Sequence, residues 1–247
     1  MKKVFLCNGM VRSGSTLQFN LLKSILKNEK NYIDAGFIDD ERSFQEFIDT
    51  VDDGAVVIIK AHTLYAAPCK DSSGIDLEIK RLYIYRDIRD VAASLRKKLS
   101  LDEKELLSTL DNAIKQYNAF KNIDTPTLTQ KYENLYSNIP LGIEQIANFV
   151  DVTLSSEEKK VVFEGNKIES VESDMKKVNK GMFNKVIILL HKVGFKRHQL
   201  YNENLIHYNH ISETKGQNGD WESVLTKNEI KTISDRYQAY QSGNSYV

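Results

Sequence analysis

The sequence lacks several features that would point to particular classes of protein. Of its 247 residues only 3 are proline and 2 are cysteine, namely Cys7 and Cys69. So little proline excludes a proline-rich linker, and two cysteines are too few for a disulfide framework, which favours a reducing compartment. The apolar runs near Val4 and from Val186 to Leu190 are too short for a signal-peptide core or a membrane span. We therefore expect a soluble, cytoplasmic protein with no membrane partner.

The sequence also has no net charge, because 34 basic side chains balance 34 acidic ones. A domain that binds nucleic acid normally has a strong excess of basic residues, so nucleic acid is not an expected partner. Charge balance over the whole chain still permits a local basic pocket for a small polyanion. The cysteines and histidines do not have the spacing of a zinc site, and no metal is expected.

The first half of the chain alternates short β-rich runs with helical patterns, an order typical of parallel strands joined by helical crossovers. Strands are predicted at residues 3–7, 55–60, 81–85 and 127–131, and helices at 17–25, 87–98, 101–121 and 139–150. Capping boxes predict three helix starts: Ser100 with Glu103, Ser155 with Glu158 and Thr226 with Glu229, the last helix running to about Tyr240. The sequence therefore predicts a single α/β domain over residues 1–247, with three layers and a mostly parallel central sheet flanked by helices.

Residues 164–212 have no clear periodic pattern. We interpret them either as helices and loops packed on the sheet edge or as an acceptor lid. His207 and His210 lie in this segment and could line an acceptor site.

A glycine-containing loop joins the first predicted strand to the first helix. Residues 9–16 read GMVRSGST, with the glycine spacing of a P-loop but with Ser15 where ATPases have lysine. Successive backbone N–H groups and the helix N-terminus form an anion site, Gly14 allows close approach of the backbone, and Arg12 supplies a cation. The loop predicts binding of a phosphate donor that has no γ-phosphate; a plain turn is the alternative.

Lys60 and His62 follow the second predicted strand with one residue between them. Their side chains leave the extended chain on the same face. The lysine can stabilise charge on transferring oxygens, and the histidine, with an ordinary pKa of about 6.5, can take a proton from an acceptor hydroxyl. This pair predicts group transfer, and a purely structural histidine is the alternative.

Arg86 ends the third predicted strand, and Ser94 lies two turns into the helix that follows. An anion bound at the carboxyl edge of a parallel sheet could contact both side chains, and the forked guanidinium suits phosphate. The alternative is an ion-pair network that caps the helix, formed by Asp87 and Asp90 with Arg86 and Arg89.

Four segments occur in an order that resembles the sulfotransferases that use 3′-phosphoadenosine-5′-phosphosulfate (PAPS). They are the loop at 9–16, the KAH of 60–62, the RDIRDVAAS of 86–94 and the KGQNGDW of 215–221. The resemblance covers about residues 3–240 and is closest to the soluble, cytosolic branch. It implies transfer of a sulfuryl group from PAPS to a hydroxyl or amine of a small-molecule acceptor, with 3′-phosphoadenosine-5′-phosphate (PAP) as the second product and no metal.

The resemblance also implies which residues bind the donor. They are Arg12, Ser13, Gly14, Ser15 and Thr16 for the 5′-phosphosulfate, Arg86, Ser94, Lys215 and Gly216 for the 3′-phosphate, and Tyr132 near the adenine. Leu17 departs from the family pattern, which often has an aromatic residue after the loop, and Thr214 departs from the usual arginine before Lys215.

The residues and the resemblance together predict in-line displacement at sulfur. His62 would be the general base, and Lys60 and Arg12 would stabilise the developing charge; Glu41 or Glu46 is the second choice for the base. Two other functions stay open: a P-loop kinase for a small metabolite and a nucleotide-binding module without catalysis. The absent loop lysine and the Arg86–Ser94 pair favour the sulfotransferase over the kinase. Trp221 is predicted to anchor the 215–220 loop, in which Gly216 and Gly219 favour positive φ.

Overall fold

A computed structural model describes residues 1–63, 74, 77–99, 101–167, 169–170 and 217–246. Five strands form one sheet: β1 Lys2–Gly9, β2 Tyr32–Phe37, β3 Val56–Lys60, β4 Leu77–Tyr85 and β5 Thr127–Lys131. Their order is β2-β3-β1-β4-β5, and each neighbouring pair is parallel. The predicted α/β class with a parallel central sheet is confirmed. Lys215, Gly216 and nearly all of the proposed 164–212 lid lie outside the described residues.

Ten helices accompany the sheet in the described part of the chain. They are α1 Ser15–Leu26, α2 Glu41–Thr50, α3 Ile88–Leu99, α4 Glu103–Lys121, α5 Tyr132–Ser137, α6 Ile139–Phe149, α7 Ser156–Gly165, α8 Trp221–Val224, α9 Lys227–Arg236 and α10 Gln238–Gly243. None of these described helices combines the length and the apolar character needed to cross a bilayer.

Several details of the chain differ from the sequence prediction. The capping box of α4 is Asp102 with Glu105, not Ser100 with Glu103, because the helix begins only at Glu103. The predicted C-terminal helix is two helices, since the chain leaves the helical conformation at Tyr237. The elements β2, α2 and α5 were not predicted. The strand β2 lies at the sheet edge and is half-buried on both faces, so its sequence lacks the alternation that marks a strand.

Helices cover both faces of the sheet, as the three-layer prediction requires. Successive side chains of a strand point to opposite faces. In β1, Phe5 and Cys7 therefore pack with α1 and α6, whereas Val4 and Leu6 pack with α2. A third cluster joins Tyr83 of β4 to α3, α4, α9 and α10. Burial of these apolar side chains is the main force that holds the layers together.

The sheet topology creates a crevice at its carboxyl edge. From β1 the chain crosses to β2 and β3 on one side, whereas β4 and β5 lie on the other. Parallel sheets bind ligands at such a switch point, outside the carboxyl ends of the strands. The segments that follow β1, β3, β4 and β5 all begin at this edge, and together with the end of β3 they contain the predicted site residues that the structure describes.

Candidate functional site

The glycine-containing loop is closed against the residue that follows β5. Gly14 is the N-cap of α1 and has a φ of 83°, in the left-handed region. A Cβ at this position would lie 2.6 Å from two ring carbons of Tyr132. Only glycine satisfies both conditions, since other residues meet a conformational penalty and a clash. The loop and the Tyr132 ring therefore form one wall of the crevice.

Ser13 fastens the loop to β4. Its buried hydroxyl lies 2.6 Å from the Met10 carbonyl oxygen and 3.0 Å from that of Ile84, and its N–H donates to Met10. This side chain shapes the loop and has its proton engaged with the backbone. By contrast, no described residue accepts a hydrogen bond from the N–H of Gly14, Ser15 or Thr16. Those three donors at the helix N-terminus can bind an anion.

Arg12 brings a cation from the loop to helix α3. Its Nε donates a 2.9 Å hydrogen bond to the hydroxyl of Ser94. Burial and the nearby Arg86 guanidinium lower the pKa of Arg12, which shows that two like charges share one low-dielectric region. Arg12 also has a φ of 60°, a conformation that costs a non-glycine residue about 1 kcal/mol or more. The loop thus holds this side chain in place at an energetic cost.

Lys60 is buried at the end of β3 and donates a hydrogen bond to the hydroxyl of Thr16. Burial lowers the pKa of Lys60 to about 8, because removal of water disfavours the charged form. The bond joins the end of β3 to the first turn of α1. The structure therefore brings Lys60 and the loop together.

His62 lies on the exposed rim beside the crevice. Its ring packs edge-on against Phe37, with 5.3 Å between the ring centroids. Desolvation by the surrounding protein and the Lys60 ammonium lower the pKa of His62, and Asp39 opposes them. The imidazole is therefore neutral, and able to accept a proton, over a wider pH range than a free histidine.

Asp39 positions the segment that carries His62, and the sequence analysis did not single it out. Its carboxylate accepts hydrogen bonds from the N–H groups of His62, at 2.6 Å, and Thr63, at 2.5 Å. Asp39 follows β2, which was itself not predicted. Glu46, a second-choice base, pairs instead with Arg42 on the exposed face of α2 at 2.8 Å.

Arg86 forms the other end of the crevice. Its Nη2 donates to the Gln217 carbonyl at 2.8 Å and lies 3.6 Å from the Asp90 carboxylate. Its guanidinium carbon lies 4.4 Å from the centroid of the Tyr132 ring, a cation–π contact. Arg86 is thus held on three sides, by α3, by the Tyr132 ring and by the segment that contains Gln217.

The alternative ion-pair network is also present. Arg89 pairs with Asp87 at 2.6 Å, and the buried Asp90 accepts from the N–H groups of Gly219, at 3.0 Å, and Trp221, at 3.3 Å. Burial raises the pKa of Asp90, and the Arg86 charge opposes this. The ion-pair interpretation is therefore present in the structure, and an anion contacted by both Arg86 and Ser94 stays a prediction.

Trp221 anchors its loop as predicted. It packs with the α3 and α4 cluster, and the guanidinium of Arg89 lies 4.3 Å from its ring centroid. Gly219 has the predicted positive φ, at 83°.

The C-terminal segment supports the site in a way that sequence reasoning missed. The hydroxyl of Tyr240 donates to the Arg86 carbonyl at 2.7 Å, and that of Tyr246 donates to Glu133 at 2.9 Å. Glu133 in turn accepts from the N–H of Asp87 at 2.9 Å. In the described segments, no group of three or more His, Cys, Asp or Glu side chains is arranged to hold a metal ion.

Two solved structures share this architecture. One is retinol dehydratase in complex with androsterone and the inactive cofactor PAP, with a TM-score of 0.60 and 16% identity, covering 97% of this chain and 80% of that one. The other is mouse sulfotransferase SULT7A1 complexed with PAP, with a TM-score of 0.64 and 14% identity, covering 97% of this chain and 84% of that one. No protein-family model and no curated protein sequence matches the chain significantly. The chain therefore has the fold of the PAPS-dependent sulfotransferases.

Proposed function

We propose that the protein transfers a sulfuryl group from PAPS to a hydroxyl or amine of a small-molecule acceptor and releases PAP. The observation that carries this proposal is the meeting of Arg12, Lys60 and Arg86, from three different strand ends, beside a loop with three N–H donors. A ligand with anionic groups at both ends suits such a crevice. The fold shared with two PAP-bound proteins supports the same ligand.

The donor would lie across the switch point between β1 and β4. Its 5′-phosphosulfate would bind the N–H groups of residues 14–16 and the Arg12 guanidinium. Its 3′-phosphate would bind Arg86 and Ser94, joined by Lys215 and Gly216 from outside the described residues. Tyr132, which packs between Gly14 and Arg86, would lie near the adenine.

The reaction would be a single in-line displacement. His62 takes the proton of the acceptor, the acceptor oxygen or nitrogen bonds to sulfur, and the bond from sulfur to the 5′-phosphate oxygen breaks. The electron pair of that bond leaves on PAP. Lys60 and Arg12 stabilise the charge on the sulfuryl oxygens and on the leaving phosphate, so catalysis comes mainly from positioning and electrostatics.

Ligand binding and transfer test the proposal against its two alternatives. We expect PAP to raise the thermal unfolding temperature, with ATP and AMP much less effective, and labelled sulfate from PAPS to appear in products when a cell extract supplies the acceptors. A preference for ATP with Mg²⁺ would favour a kinase. Binding of PAP without transfer to any acceptor would favour a non-catalytic module.

Replacement of the base tests the mechanism within the same assays. His62→Ala should lower the transfer rate by about 10²–10⁴-fold and leave PAP affinity within about twofold, because the imidazole does not hold the donor. Asp39→Asn should have a smaller effect on transfer, since it positions the segment only. Full transfer by His62→Ala would reject this base.

A further inference from the structure

Lys98, in the last turn of α3, has a buried ammonium group to which the proposed function assigns no role. Its Nζ is almost entirely buried and has no hydrogen-bond partner among the described residues. The other cations of this turn are paired: Arg96 donates to Glu229 at 2.9 Å, and Lys97 lies 3.2 Å from Asp220. Lys98 therefore differs from its neighbours, because no described residue supplies it with a counter-charge.

The position of Lys98 relates it to the loop. It follows Ser94 by four residues, so the two side chains share a face of α3. Ser94 accepts the hydrogen bond from Arg12, and the Arg12 charge, after burial, lowers the pKa of Lys98 to about 8. Two cations thus lie close together, and no carboxylate of the described residues lies within 4.0 Å of either.

An isolated ammonium is costly away from water, and the cost falls when an anion binds beside it. The 5′ end of PAPS has a charge on the phosphate and another on the sulfate, and a further cation beside Arg12 and Lys60 would strengthen its binding. Lys98 also lies one turn farther than Ser94 from Arg86 along α3. The 5′ end therefore fits its position better than the 3′-phosphate does.

We propose that Lys98 is a further donor-binding residue, whose Nζ binds the phosphosulfate oxygens at the 5′ end of PAPS together with Arg12. This inference rests on the proposed function and deepens it. Lys98 would add a cation from α3 to the 5′ site, whose other cations are Arg12 of the loop and Lys60 of β3.

Two half-donor ligands separate the ends of the site. Adenosine 5′-phosphosulfate has only the 5′ group, and 3′-AMP has only the 3′-phosphate. We expect Lys98→Met to weaken binding of PAPS and of adenosine 5′-phosphosulfate by about tenfold or more in calorimetric titrations, because a charge-assisted contact is lost. Binding of 3′-AMP should change by less than about twofold. Lys98→Arg should restore most of the lost affinity, and Lys104→Met, on the exposed surface of α4, should bind all three ligands like the unmodified protein.

Three other outcomes would contradict the proposal, and the measurements distinguish them from one another. An equal loss of 3′-AMP binding would place Lys98 at the other end or give it a general structural role. Unchanged binding of all ligands by Lys98→Met, in a protein whose thermal unfolding is intact, would remove Lys98 from the site. Failure of the proposed function would appear instead in the unmodified protein, as absent PAPS binding, and the Lys98 proposal would fail with it.

Discussion

The two ends of the crevice hold their cations in different ways. At one end, Arg12, Lys60 and Lys98 have no carboxylate within 4.0 Å among the described residues. At the other end, Arg86 and Arg89 each lie beside an aspartate, at 3.6 and 2.6 Å. At the paired end, aspartate side chains of the protein itself balance part of the positive charge. We expect the unpaired end to obtain a counter-charge when an anion binds, so its cations should favour binding at the expense of stability.

Among the changes that compare the two ends, removing a cation from the unpaired end should have the largest effect. Lys60→Met should lower the transfer rate by about 10²–10³-fold, because an electrostatic contact to the transferring oxygens is lost. The free energy of unfolding should stay the same or rise by about 1 kcal/mol, since a buried charge is replaced by an apolar side chain of similar length. Steady-state kinetics and urea unfolding measure the two effects, with Lys104→Met as the control.

The comparison between the two ends would fail if Lys60→Met lowered both the free energy of unfolding and the transfer rate. A loss of more than about 2 kcal/mol in Lys60→Met would mean that its bond to Thr16 supports the fold rather than the reaction.

At the paired end, removing the charge of one partner of a buried ion pair should act mainly on the free energy of unfolding. Asp90→Asn removes a carboxylate charge beside the buried Arg86 and weakens the anchoring of the Gly219 and Trp221 N–H groups. We expect the free energy of unfolding to fall by about 2–4 kcal/mol. Asp235→Asn is the matched control, since its pair with Lys231 is exposed and should contribute less than about 1 kcal/mol. Equal effects of the two variants in urea unfolding would contradict the comparison.

The strands and helices that contain these charged residues can be predicted from the sequence more reliably than the residues with which the charges pair. The strand β5 has the predicted bounds of 127–131, and the loop and Lys60 follow apolar strands that are easily recognised. Each of these signals is local, because an apolar run followed by polar residues marks the end of a buried strand. The half-buried edge strand β2 has no such signal, and Asp39 was missed with it.

Contacts between distant residues were beyond prediction for a physical reason. Tyr240 and Arg86 are 154 residues apart, and only tertiary packing brings them together. Likewise, Arg96, Lys97 and Lys98 are three adjacent cations of one predicted helix, and nothing local distinguishes the one whose ammonium becomes buried. Burial of a charge depends on which face of α3 meets the loop, and this is decided by the fold.

The smallest expected effect is a pH dependence that belongs to the unpaired end. Burial lowers the pKa of both Lys60 and Lys98 from 10.5 to about 8. Only the protonated lysines attract an anion, so PAPS affinity should be highest below pH 8 and fall by roughly threefold to tenfold between about pH 7.5 and 9. The unfolded chain binds more protons than the folded protein between about pH 8 and 10.5, so the contribution of these lysines to the free energy of unfolding rises with pH in that window.

Calorimetric titration of PAPS over this pH range, with 3′-AMP as the reference ligand, measures the effect. Lys60→Met and Lys98→Met should each flatten the PAPS profile in part, and the double variant should remove what both lysines contribute. The 3′-AMP profile should stay nearly flat, because neither Lys60 nor Lys98 is proposed to bind the 3′-phosphate. If PAPS and 3′-AMP lost affinity in parallel above pH 8, deprotonation of Lys60 and Lys98 would affect both ends of the donor equally. The contrast between a paired support and an unpaired reaction end would then have to be abandoned.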